Sequence, residues 1–453
     1  MGVQMSYPGH ARAILVLGLP IVGSNLAQFA IGLTDTVMLG WYGIEALAAV
    51  TLASSYFFVL FLMGSGFAWA VMPMVAAFDA EGDEIGLRRA TRMGLWLSAL
   101  FAVFAMPLLW WSEHVLLALG QNEEVADQAA QYLRIAGWGI FPALFVMVLK
   151  SYLAALERTQ IALWITIFAA VLNGFANYAL IFGNWGAPEL GIAGAAIASV
   201  MTQLVSLVGV MIYGLKVLPE HRLYQRLWRL DFEMFVKVFR LGVPIGLTTL
   251  SEVSLFTATA MMMGWLGTVP LAAHGIALQL ASGTFMVHLG LSSAATVRAG
   301  NAYGRGDRQH MARGAIVVIV LSLLMSLATV ALFLGMPQYL ISLFLDMNDP
   351  ESAQIIKIGV GLLAVAALFQ LVDGAQVMAL GLLRGVQDTG VPLVIGVMSY
   401  WVVGISTSYY LGFVLGLDGI GVWLGLVVGL ACAGVFLMIR FWGTAIRRVG
   451  SPD

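Results

Sequence analysis

Three carboxylates stand inside long apolar runs of this chain: Asp35, Glu252 and Asp373. No basic residue lies within a helical turn of any of them. An ionisable side chain inside a bilayer costs about 2.5–3.5 kcal/mol on insertion scales, so such positions usually serve ion, proton or substrate traffic. A dry, unpaired carboxyl holds a proton readily near neutral pH. With oxygen neighbours it can bind Na+ instead, carboxylate and carbonyl groups replacing water. The bland alternative for one such residue is a protonated carboxyl hydrogen-bonded to backbone or hydroxyl groups. Three together argue for a cation-handling site that takes H+ or Na+.

Other polar residues fall where they can help. Asn173 and Asn177 are four apart and share a helix face. Ser199, Thr202 and Gln203 lie in the next run, Thr248 and Ser251 beside Glu252, and Gln370 and Gln376 within a turn of Asp373. Each alone is as well explained by hydrogen bonding between helices. Pro20 and Pro244 mark kink positions in two of the runs, since proline frees a carbonyl and bends a helix.

The elements that must position these residues follow from composition. The chain has 453 residues, 60% hydrophobic and only 10% charged, against roughly 25% charged in a soluble domain. Such a chain could not be a soluble enzyme without exposing large apolar patches. Its near-even balance of 22 basic and 24 acidic residues gives no reason to expect a nucleic-acid partner. A bilayer-spanning helix needs about 20 apolar residues. Twelve runs qualify, at about 12–40, 46–78, 90–111, 128–150, 159–182, 190–215, 234–264, 269–299, 311–335, 352–383, 390–412 and 418–442. They are continuous rather than alternating, which argues against a β-barrel. The fold class is therefore all-α integral membrane.

Basic residues orient the runs. Twenty of the 22 lie at the N-terminus, in even-numbered connectors or at the C-terminus, leaving only Arg134 and Lys357 on the other side. The positive-inside rule places both termini in the cytoplasm of a multi-pass inner (plasma) membrane protein. On this reading no basic residue lies clearly within the membrane.

The chain also repeats. LGLPI at 17–21 returns as LGVPI at 241–245, GWYG at 40–43 as GWLG at 264–267, and EGD at 81–83 as RGD at 305–307, all 224 residues apart. Six helices per repeat make the copies parallel, giving two pseudo-symmetric six-helix lobes. The expected boundaries are 1–215 for the N-terminal lobe, 216–233 for a cytoplasmic linker and 234–453 for the C-terminal lobe. The same offset sets Gln28 opposite Glu252 and Thr259 opposite Asp35, so the lobes do not use their shared scaffold alike.

Other features carry less. Cys432 is the single cysteine and cannot form an internal disulfide. The chain has no phosphate-binding loop, no nucleophile elbow and no metal-ligand spacing among His114, His274 and His288. No cofactor and no enzyme activity are expected.

Twelve helices in two lobes, the segment LPI…TDTVMLGWYG and the segment AAHGIALQLASGTFMVHLGLSSAATVRAGNAYGRGD at 272–307 resemble the multidrug and toxic compound extrusion family, in particular its NorM branch. The resemblance implies an antiporter that exports cationic or amphipathic drugs against inward Na+ or H+. It matches Asp35, Asn173, Asn177 and Pro20 to the family's N-lobe site, and Glu252 and Asp373 to its C-lobe cation site. Phe369 replaces the tyrosine that NorM relatives often carry one turn before the last acid, and Asn177 an aspartate of some relatives. A monomer is expected, alternating access between its lobes. The competing reading is a lipid-linked oligosaccharide flippase of the same superfamily, which needs basic residues in its cavity.

The orientation is testable in a Cys432→Ser background. Gln121→Cys and Ala187→Cys are expected to react with an impermeant maleimide in intact cells, and Gln309→Cys only after permeabilisation. The reverse pattern would invert the topology.

Overall fold

The computed structural model describes residues 5–345 and 350–450, apart from the side chain of Ile44. Among them, twelve helices are long and apolar enough to cross a membrane. They are α1 (Tyr7–Tyr42), α2 (Glu45–Glu81), α3 (Glu84–Trp110), α4 (Glu123–Ala155), α5 (Thr159–Phe182) and α6 (Gly191–Val217). The second set is α7 (Phe232–Leu266), α8 (Thr268–Gly304), α9 (Arg308–Gly335), α10 (Ser352–Gly385), α11 (Gly390–Val414) and α12 (Asp418–Arg448). All twelve expected runs are present, most of them several residues longer than their apolar stretch because polar caps extend the helix past it.

The repeat has a structural meaning at its ends. Gly82 and Gly306 turn left-handed, with φ of 74° and 64°, and stop α2 and α8. Glycine takes that conformation without a Cβ clash. The next residue then caps the following helix: Asp83 accepts from the Gly86 amide and Asp307 from the His310 amide, both at 2.9 Å. These aspartates start α3 and α9 well before the apolar run begins. A short helix follows each of these spans, Ser112–Ala118 after α3 and Pro337–Ser342 after α9. Apolar counting missed both because neither is long enough to cross.

Contacts gather the chain into two compact units, Gly23–Gly246 in one and Met1–Val22 with Leu247–Asp453 in the other. The division falls inside α1 and α7 rather than at the expected 216–233 linker. Pro20 and Pro244 stand two residues before the change of unit in each helix, and both helices run through them. The first turns of α1 thus pack with the C-terminal helices, and the first turns of α7 with the N-terminal ones.

Within the 216–233 segment, residues 218–231 form a chain of turns docked on the Gly23–Gly246 unit rather than a free tether. Arg92 donates to the carbonyls of Leu223 and Arg222 at 2.8 and 2.9 Å, and Trp96 Nε1 to that of Leu227 at 2.6 Å. Arg89 pairs with Asp231 and holds its carboxyl below the usual carboxylate range.

Close backbone approach holds the second unit together where α12 crosses α11. A Cβ on Gly425 would meet the Ser408 backbone nitrogen at 2.2 Å and its Cα at 2.3 Å. Neither atom can move without the helix, so overpacking of about 1–3 kcal/mol is expected. Gly425→Ala should lower the Tm of the purified protein by several degrees, while Gly335→Ala, where nothing lies within 4 Å, should leave it nearly unchanged. Equal melting curves would contradict this packing.

Candidate functional site

In the Gly23–Gly246 unit, α5 supplies the scaffold. Its buried polar residues Thr159, Thr166, Asn173 and Asn177 recur at spacings of seven, seven and four, one face of a helix. That face meets Asp35 of α1. Asn177 donates through Nδ2 to Asp35 Oδ1 and, at 3.1 Å, to Asn173 Oδ1. Ser199 of α6 donates to Asp35 Oδ2 at 3.4 Å. The asparagines are fully buried, and Asn173 Nδ2 and Asn177 Oδ1 are left without partners. Tyr132 of α4, also buried, faces Asp35 and Ser199 from the other side.

Two expected participants stand apart. Thr202 turns its hydroxyl back to the Ala198 carbonyl of its own helix at 2.7 Å. Gln28 is exposed on α1, two turns before Asp35. The structure thus brings Asp35, Asn173, Asn177 and Ser199 together and leaves Thr202 and Gln28 outside.

The same unit corrects one reading of the sequence. Lys150, counted there as a connector charge, sits inside the helix bundle because α4 continues to Ala155. Its ammonium donates to Thr166 Oγ1 at 2.7 Å, and Thr166 shares a 3.0 Å hydrogen bond with Ser24 of α1. The apolar stretch after Lys150, SYLAAL, was the signal that the helix goes on.

In the other unit, α7, α10 and α11 build a second cluster around Glu252 and Asp373. Asp373 is 1% exposed, and neither of its carboxyl oxygens has a hydrogen-bond partner. Gln370, fully buried, has no partner for either end of its amide. Gln376 donates through Nε2 to the Tyr400 hydroxyl at 2.5 Å, leaving its Oε1 unpartnered. Gln376 also bonds the Glu252 carboxyl, and the charges of Glu252 and Asp373 bear on each other. Ser251 adds a further buried hydroxyl without a partner.

Tyr400 and Arg384 were not anticipated. Tyr400 lies in Met398–Ile405, where α11 is wound as a π-helix. Such segments re-aim side chains and recur at functional sites. Arg384, in the last turn of α10, faces Glu252 electrostatically. Phe369 closes the apolar side, edge-on to Trp423 and Phe256 at 5.8 and 6.0 Å between ring centroids. Phe369 brings no hydroxyl to this cluster.

The two clusters differ in chemistry. Around Asp35 the neighbours are N–H and O–H donors, which satisfy an ionised carboxylate. Around Asp373 there are unpartnered oxygens, from Asp373 itself, Gln370 and Gln376. Leaving buried polar atoms unmade is costly, and a proton or a small cation is what this set can take up. Among the described residues no group of three His, Cys, Asp or Glu side chains could hold a metal ion.

Comparison with known proteins gives a consistent result. The MatE family profile matches residues 20–179 and 244–410, beginning at the two kink prolines. The probable multidrug resistance protein NorM of Rhizobium meliloti is 45% identical over 98% of this chain and 96% of its own length. That of Agrobacterium fabrum is 43% identical over 96% and 94%. Among solved structures, the eukaryotic MATE transporter AtDTX14 superposes with a TM-score of 0.87 at 18% identity, covering 98% of this chain and 99% of its own. An outward-facing multidrug resistance MATE transporter gives 0.87 at 21% identity, covering 97% of each chain. Two profile matches in register with the internal repeat, and relatives matched almost end to end, place this multi-pass membrane chain in the MatE family, the multidrug and toxic compound extrusion transporters.

Proposed function

We propose that this chain is a NorM-like efflux antiporter that exports cationic or amphipathic drugs in exchange for Na+ or H+, with both termini in the cytoplasm. The observation that carries the reading is the set of buried or half-buried carboxylates in both units, each with a polar neighbourhood and without a partner lysine or arginine in a salt bridge among the described residues.

The working cycle follows from charge. A cation bound at a buried carboxylate neutralises it, and a cationic drug then loses its counter-charge. The two therefore exclude one another, and a transporter that reorients only when one of them is bound exchanges the two. Asp35, ringed by donors, suits a carboxyl that trades a proton. Glu252 and Asp373, with the free oxygens of Gln370 and Gln376, suit Na+, whose hydration such oxygens can replace. Pro20 and Pro244 serve as flexing points, because each precedes the residue at which its helix changes unit. One chain carries both clusters, so a monomer suffices. The repeated halves remain the functional lobes, 1–215 and 234–453, joined through 216–233.

Gripping a pyrophosphate, as a flippase must, would need basic groups free to do so. Lys150 is engaged by Thr166 and Arg384 is turned toward Glu252.

Ethidium uptake into everted vesicles tests this. Asp35→Asn, Glu252→Gln and Asp373→Asn are each expected to slow drug accumulation by about tenfold or more, since each removes a charge whose interaction with a nearby cation is worth several kcal/mol, about 4 at an effective dielectric of 20 and 4 Å. Wild-type export by all three would refute the mechanism. In liposomes, Na+ and pH gradients imposed separately should each drive flux, with Asp373→Asn losing the Na+ response first.

A further inference from the structure

The 272–307 signature segment contains a residue that cation coupling leaves unused, Arg298. With His10 of α1 and His310 of α9 it lines a small cavity whose remaining wall is apolar, including Ile14 and Met311. All of these residues belong to the unit formed by Met1–Val22 and Leu247–Asp453. His10 is fully buried there, and neither of its ring nitrogens has a hydrogen-bond partner. Its ring lies 4.5 Å from that of His310, tilted by 58°.

The hydrogen-bond chemistry is one-sided. Arg298 Nη2 stands 2.8 Å from His310 Nε2. A guanidinium can only donate, so Nε2 accepts and the proton of His310 resides on Nδ1. His10 likewise carries at least one N–H. The cavity is thus bordered by donors. Arg313 and Arg305 add positive charge to the two histidines. Asp307 is the acid that acts on them, and its carboxylate is occupied in capping α9 through the His310 amide. A guest that accepts from Arg298 and from the His10 N–H is favoured, and a cation is repelled. The space is about that of a single water molecule, too small for a phosphate group.

We propose that this cavity binds a monovalent, halide-sized anion, which fastens the start of α1 to α8 and α9. Such an anion gives His10 the partner it lacks. It would hold α1 near its start, beside Arg298 and Arg313 of the neighbouring helices and ahead of the Pro20 flexing point.

The test uses purified protein at fixed pH, with sodium chloride exchanged for sodium gluconate at equal ionic strength so that Na+ stays constant. Saturating chloride is expected to raise Tm by about 2–4 °C, and His10→Phe to abolish that rise. Crystals of the wild type soaked in bromide should show an anomalous peak between His10, Arg298 and His310. A chloride response that survives in His10→Phe overturns the proposal. So does a bromide-soaked crystal with only water in the cavity, and that measurement decides even if the variant fails to fold. Neither readout depends on drug transport, so a failure here leaves the antiport reading untouched, and the reverse also holds.

Discussion

The organisation of this protein rests on one constraint: a carboxyl group shut away from water must find something positive to hold. A bundle of apolar helices offers little, since backbone groups are spent on the helices themselves. Asp35 meets the constraint with amide and hydroxyl donors from α5 and α6. Asp373 does not meet it at all among the described residues, and its two oxygens wait beside the amides of Gln370 and Gln376. A group in that condition is where the proposed coupling cation would bind. Coupling a cationic drug to such a group needs no further chemistry than competition.

Everything else serves to keep these groups buried yet movable. Glycines let helices approach to backbone contact, as Gly425 does against Ser408, and this rigidifies one unit internally. The prolines of α1 and α7 stand where each helix passes from one unit to the other. A helix that carries an acid beyond such a point can respond to the charge of that acid without repacking its first turns. The repeat explains why the two flexing points are equivalent while the acids are not. The scaffold was duplicated and the polar residues then diverged, so Glu252 faces Gln28 and Asp35 faces Thr259 across the 224-residue offset.

Much of this could be read from the chain beforehand because membrane burial leaves a coarse, strong imprint. Twelve apolar runs, a one-sided distribution of arginine and three isolated acids require no knowledge of contacts. The EGD and RGD repeats were legible as repeats, and their role as a helix stop followed by a cap emerged only with the backbone. Side chains at helix ends were harder. Lys150 and Arg384 looked like connector charges because the apolar stretches that follow or precede them were judged by hydropathy alone. Thr202 and Gln28 had the right chemistry, but the Thr202 hydroxyl is spent on its own helix and Gln28 lies two turns from Asp35 and exposed, neither of which spacing along one helix reveals. Tyr400 was invisible because a π-wound segment shifts the helical register by which its facing would be judged. The changes of unit within α1 and α7 had no sequence signal beyond the prolines.

The central claim is that a cationic drug and the coupling ion compete for the same buried carboxylates. Equilibrium binding of tetraphenylphosphonium to the purified protein tests it without any membrane gradient. The account predicts that Na+ or added acid weakens binding without limit as a competitor does, and that Asp373→Asn loses the Na+ effect. Tetraphenylphosphonium affinity that is independent of both Na+ and pH would contradict it.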